Sequence, residues 1–181
     1  MKTIRTSALA LAALLAATGS YAATMTKADY AAGKDRISAN YKADKATCDN
    51  FSGNAKDICV EQAKGKESVA RAELEANYTG KPEDFNKIDV AKADANYAVS
   101  KEMCDDKGGN AKDVCVTEAK ATHTKALADA KLSRKVGEAR KDAIDDKRDA
   151  DYKVAAEKCE TLSGDAKASC ISDAKARFNK S

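Results

Sequence analysis

The twelve residues "CDNFSGNAKDIC" (48–59) recur as "CDDKGGNAKDVC" (104–115) and again as "CETLSGDAKASC" (159–170). All six cysteines of the chain fall in this one device, and it constrains the fold more than any other feature. Each copy carries a Gly-Asn or Gly-Asp pair at its midpoint: Gly53-Asn54, Gly109-Asn110 and Gly164-Asp165. Glycine readily ends a helix in the left-handed region. Asn and Asp are good N-caps for a helix that follows. The pair therefore reads as a helix stop and a helix start, the turn of an αα-hairpin. Cys48 and Cys59 lie symmetrically about that turn, as do Cys104 with Cys115 and Cys159 with Cys170. On antiparallel helices each pair stands at one height and comes within disulfide distance if both members face the seam. Closing a loop of about a dozen residues stabilises a fold by roughly 3 kcal/mol in the chain-entropy account. The competing use of such cysteines, zinc ligation, favours closer Cys pairs and usually histidine, and the one histidine here is His123.

The repeat extends beyond the loop. Tyr41, Tyr97 and Tyr152 each stand seven residues before the first cysteine of a copy, inside Ala-Asn-Tyr or Ala-Asp-Tyr. Val60, Val116 and Ile171 follow the second cysteine, and Ala-Lys follows three residues later. An internal repeat of this kind dictates architecture before any local propensity does. The flanks are rich in Ala, Lys, Glu and Asp, all compatible with helix, and Pro82 is the one proline. Opposite charges three or four residues apart support solvated helix surfaces. The seam positions are mostly alanine: Ala63, Ala70, Leu74 and Tyr78 after Cys59, then Ala119, Ala126 and Ala130 after Cys115, then Ala174 and Phe178 after Cys170. Methyl groups bury little apolar area, at about 25 cal/mol per Å2, so a staple compensates for a thin seam.

These features predict an all-α chain of elongated, coiled-coil-like antiparallel helical hairpins, each turn stapled by a disulfide. The expected units are a signal peptide over 1–22, hairpins over 23–80 and 81–137, and a third over 138–181, shortened at the C-terminus. Gly80 and Pro82 break the chain between the first two hairpins. The second junction holds Gly137 but no proline. A break there gives six helices with every staple at one end. Continuity makes 110–163 one long or kinked helix of about 80 Å, which is the reading adopted.

The N-terminus "MKTIRTSALALAALLAATGSYAA" has the charged, apolar and small-residue regions of a secretory signal, with cleavage expected after Ala22. Its apolar run is shorter than the roughly 20 residues of a membrane span, so no integral membrane segment is expected after its removal. The whole chain has 32 Lys+Arg and 29 Asp+Glu; removing Lys2 and Arg5 leaves 30 against 29, a net of about +1. With signs interleaved and no tryptophan, nothing attracts or stacks nucleic acid. Export fits an oxidising compartment and structural disulfides.

The chain offers little for chemistry. His123 is isolated and reads as a surface residue. The acidic pairs Asp105/Asp106 and Asp145/Asp146 lack the glycine turn and ligand spacing of a calcium loop. The glycines follow no phosphate-binding pattern. No cofactor or metal site and no enzymatic activity are expected. The tyrosines read first as seam packing; the functional alternative is an interaction stripe of Tyr41, Tyr97 and Tyr152 that grips unfolded clients.

With its signal sequence and the motifs "YKADKATC", "SGNAKDIC", "GNAKDVC" and "RDADYKVAAEKC", the chain resembles a group of exported, Ala/Lys-rich helical proteins of Gram-negative bacteria. These are loosely labelled TolA-like cell-envelope proteins. The resemblance implies a periplasmic address and no particular mechanism. The expectation is a non-enzymatic periplasmic protein with a structural or interaction role in the envelope, its setting stress, its partner an unidentified envelope protein or a second copy. The alternatives are a periplasmic holdase and, more weakly, metal sequestration; secretion is the alternative address.

Overall fold

The first helix begins where Thr26 and Asp29 cap each other. The Asp29 amide donates to Thr26 Oγ1 at 3.1 Å, and the Thr26 amide donates to the Asp29 carboxylate at 3.4 Å, a reciprocal capping box. The computed structural model describes residues 25–180; the signal peptide and its cleavage point lie outside them. Five α-helices follow in order: α1 (Lys27–Thr47), α2 (Asn54–Thr79), α3 (Pro82–Asp105), α4 (Gly109–Cys159) and α5 (Gly164–Arg177), with a 3-10 turn at Cys48–Asn50. Among the described residues there is no strand. The chain is all-α, and its disulfides join Cys48–Cys59, Cys104–Cys115 and Cys159–Cys170 with Cα–Cα distances of 5.5, 5.6 and 5.7 Å.

Helices touch only their sequence neighbours: α1 on α2, α2 on α3, α3 on α4, α4 on α5. The first four therefore form a row that does not close into a bundle. Close approach in the row depends on small residues. A Cβ on Gly33 would fall 2.7 Å from Leu74 Cδ1, so α1 presents a notch that the buried Leu74 of α2 fills. A Cβ on Gly65 would fall 2.8 Å from Ala95 Cβ, so α2 and α3 meet nearly backbone to backbone. The expected seam residues Ala63, Leu74, Ala130 and Ala174 are all buried. Large side chains are scarce in this core; the largest fully buried ones are Cys48, Cys104 and Cys159. The staples thus supply a good part of the volume at each seam end as well as the covalent link.

Turn chemistry differs between the two kinds of junction. At the α2–α3 junction Gly80 takes the left-handed conformation (φ 64°, ψ 9°), its amide bonds the Ala76 carbonyl at 2.8 Å, and Pro82 starts α3. The stapled turns use glycine otherwise. Gly53 has φ 55° with ψ −147°, a conformation open only to glycine, and it caps the start of α2. Gly109 and Gly164 begin α4 and α5 with φ 52° and 56°. The expected division of labour is therefore corrected. The glycine launches the second helix instead of ending the first, and Asn54, Asn110 and Asp165 lie within the second helix instead of capping it. The reason is local. The first helix of each pair ends near its cysteine, and three to six residues then bring the chain back, so the reversal falls at the start of the next helix.

Helix α4 runs through Gly137 without a break, 51 residues in all, or about 76 Å at 1.5 Å per residue. The first two staples share one end of the row, where Asn54 Nδ2 of α2 donates to the Glu102 carbonyl of α3 at 2.8 Å. From that end α4 climbs along α3 to Ala130, whose carbonyl accepts from Asn86 Nδ2 at 2.6 Å. Beyond it α4 borders an open groove with the start of α3, lined by Phe85, Asn86, Arg134 and Gly137 among others, and runs on until α5 folds back on its far end. The third staple consequently stands about 66 Å from the second.

Candidate functional site

The stapled turns are the most regular sites in the molecule, and each is built the same way. The acidic residue directly after the first cysteine pairs with the lysine three places before the second. Asp49 meets Lys56 at 2.8 Å, Asp105 meets Lys112 at 2.9 Å, and Glu160 meets Lys167 at 2.7 Å. Both partners are repeated in all three copies, so sequence comparison between copies contained the signal; the pairing needed the fold. The hydrogen bond from Lys56 and its charge hold the Asp49 carboxyl below the usual carboxylate range and raise Lys56. Exposed pairs of this kind add little to stability; what they mark is that the three turns share one arrangement of charge. Around these ends lie exposed apolar side chains, Phe51, Met103 and Val114 at one pole and Leu162 at the other.

Seven residues back from each staple the tyrosines close their own seams. Tyr97 stacks on His123 across α3 and α4, ring centroids 4.7 Å apart and 12° from parallel. Tyr152 meets Phe178 edge to face across α4 and α5, centroids 6.4 Å apart. His123 and Phe178 hold the same repeat position, eight residues after the second cysteine, where the first copy has Glu67. Tyr41 accordingly lacks a ring there and borders a small groove with Ala63, Glu67 and Ala70. In the first hairpin the aromatic contact has moved outward, to Tyr30 stacked on Tyr78 at 4.3 Å, and the Tyr30 hydroxyl bonds Glu75. That bond is the main cause of the raised Tyr30 pKa. Tyr41, Tyr97 and Tyr152 are half-buried in three separate seams, so they form no shared exposed row.

His123 is not an isolated surface residue. It is half-buried, stacked on Tyr97, and its Nε2 lies 2.6 Å from an Asp94 carboxylate oxygen. Sequence reasoning missed this because the position is aromatic in another copy but not histidine. A second group escaped notice as well. Asp84, in the first turn of α3, is buried and accepts from Thr79 Oγ1 at 2.6 Å and Lys87 Nζ at 2.7 Å. Lys87 above all, then Thr79, holds its carboxyl below the usual range. The arrangement ties the end of α2 to the start of α3 and favours a negative charge at a helix N-terminus.

Among the described residues no thiol is free, no group of three or more His, Cys, Asp or Glu is gathered as for a metal ion, and no helix is long and apolar enough to cross a membrane. What the geometry does provide is contact surface: two stapled poles with exposed apolar residues and a long helix between them. No protein-family model, no curated protein and no solved structure matches the chain.

Proposed function

We propose that the protein is a non-enzymatic helical spacer of the cell envelope, acting in the periplasm through contacts made at its stapled ends. The observation that carries this reading is α4, one 51-residue helix that holds two disulfide-stapled hairpin ends apart. Such a shape suits a component that bridges or spaces partners. The disulfides suit an oxidising compartment, and the signal-like N-terminus supplies the route to it. A photo-crosslinker at Phe51 and another at Leu162, both exposed and outside the helices, test the role in intact cells. A bridging spacer captures envelope proteins from both positions; capture from neither position sinks the reading.

The holdase reading draws on exposed apolar side chains such as Phe51, Met103, Val114 and Leu162. Suppression of aggregation of a reduced model client separates it from the spacer role. No suppression at equimolar protein removes it.

A further inference from the structure

Between Ala130, whose carbonyl accepts from Asn86 of α3, and Asp149, where Lys180 anchors the end of the α5 segment, α4 faces only the first turns of α3, across a groove that Phe85 and Asn86 share with Arg134, Gly137 and Lys141. Residues 135–144 are exposed on every side. Ion pairs one turn apart stiffen this span: Arg134 with Glu138 at 2.5 Å, Lys141 with Asp145 at 2.7 Å, and Arg148 with Asp145 at 2.5 Å. They do not account for its apolar residues. Leu132, Val136 and Val154 are 60%, 58% and 56% exposed. At 3.6 residues per turn they share one face with Ala139, Ala143 and Ala150, all exposed as well. Ala121, Leu132, Ala143 and Val154 follow each other at intervals of eleven residues, a period that carries an apolar face along a helix with a slow right-handed drift. This face points away from α3 and α5, because Ala130, Tyr152 and Cys159, which pack on those helices, lie half a turn round.

The charges beside this face are ordered. From Lys131 to Lys141 the span carries Lys131, Arg134, Lys135, Arg140 and Lys141 against Glu138 alone. From Asp142 to Asp151 it carries five aspartates against Lys147 and Arg148. Two such helices side by side in parallel set like charge on like; antiparallel, each basic half meets an acidic half.

We propose that this face is a self-association surface, on which a second copy of the chain lies antiparallel about a two-fold axis near residue 141. The interface is isologous, as a two-fold axis requires. Leu132 then lies beside the partner's Ala150 and Ala139 beside the partner's Ala143. Small residues at the crossing let the axes approach to about 8 Å. Lys135 and Asp146, on the same flank of the face and in no ion pair among the described residues, meet across the axis twice. Since α3 and α5 sit on the opposite side of α4, both copies keep their own hairpins. The paired molecule is a double-ended rod, with the four-helix rows at its two extremes.

The oxidised mature chain, examined by sedimentation equilibrium at low and high salt, tests this. A reversible dimer weakened by salt is expected. Val136→Asp with Leu132→Asp should raise the dissociation constant at least a hundredfold without loss of helicity, since both side chains are exposed. Lys135→Glu alone and Asp146→Lys alone should each raise it about tenfold, and the two together in one chain should restore it. Rescue by the double reversal is specific to antiparallel pairing; in parallel pairing the double variant opposes like charges. A monomer throughout the micromolar range, a dimer indifferent to Val136 and Leu132, or failure of the double reversal to rescue overturns the proposal. So does a monomer that binds anionic vesicles through the same residues, which would make a membrane the occupant. None of these outcomes bears on what the stapled ends capture.

Discussion

Removing the third staple should release α5 and leave the rest of the molecule folded. The perturbation is Cys159→Ala with Cys170→Ala, which removes the bond without leaving a reactive thiol. In the chain-entropy account a loop closed over an eleven-residue separation contributes ~2.8 kcal/mol at 25 °C. The seam it supports is thin: Ala174 is buried, Ile171 and Phe178 are half-buried, and Tyr152 offers an edge contact. Full burial of a large apolar side chain contributes about 1.5–3 kcal/mol, so Ile171 and Phe178 together supply roughly 2 kcal/mol. At 14 residues, α5 is of a length that is marginal as an isolated helix. Loss of ~2.8 kcal/mol from its docking therefore leaves little to hold it. At 1.4 kcal/mol per factor of ten, amide exchange over 164–177 should accelerate about a hundredfold, while α2 and α3 keep their protection. Hydrogen-exchange mass spectrometry of the full chain reads both regions in one experiment. Exchange over 164–177 as slow as in the oxidised parent would refute the argument, because the seam alone would then suffice.

Other expectations follow from the same geometry. Cys48→Ala with Cys59→Ala should lower global stability by about 2–3 kcal/mol without freeing α1, which keeps the Leu74–Gly33 and Tyr30–Tyr78 contacts; denaturant melts with exchange over 27–47 check both halves. Gly65→Ala should lower the melting temperature, because the new methyl meets Ala95 Cβ at 2.8 Å and forces two helices apart. Gly137→Ala, with nothing within 4 Å, should raise it, because stability gains the ~1 kcal/mol of helix propensity. His123→Ala should cost about 1 kcal/mol through the lost stack on Tyr97, and His123→Phe should recover it, since that restores the pair found at Tyr152 and Phe178. For Asp84 the carboxyl is depressed in the folded state. Its stabilising contribution is thus complete above the unfolded value of about 4 and is lost as pH falls through the lower folded value. Asp84→Asn should accordingly destabilise the protein at pH 7 and flatten the loss of stability below about pH 4, as seen in acid titrations of the thermal midpoint.

The staple pairs and most seam positions were legible in the sequence because they depend on spacing alone. Cysteines symmetric about a turn, and alanines three or four residues apart after them, leave few alternatives once helix is granted. Continuity through Gly137 was half legible: the absence of proline favoured it, while the glycine itself left a break open. What escaped depended on relations between helices. Gly33 and Gly65 look like minor helix weaknesses until Leu74 and Ala95 are set opposite them. Asn54, Asn110 and Asp165 were assigned capping roles from residue type, yet cap assignment turns on where the preceding helix ends, a matter of one or two residues. Asn54 instead reaches the Glu102 carbonyl. His123 was read alone, although aligning it with Phe178 would have marked it as a seam position. The outer face of α4 carries no mark in the repeat, because the repeated residues fix the seam on the opposite side of the helix.

Packing confined to sequence neighbours also bears on how such a chain can change length. In a closed bundle every helix touches partners remote in sequence, and an inserted or deleted hairpin disturbs all of them. Here α1 never meets α4, and α5 meets α4 alone. Stability in arrays of this kind is close to a sum over units and their shared borders. A unit of some 55 residues, bringing its own turn and its own covalent lock, can join or leave at an end without asking any distant contact to re-form. The breadth of the row, or its reach where a junction stays helical as at Gly137, then becomes a heritable quantity, adjustable by duplication in whole steps.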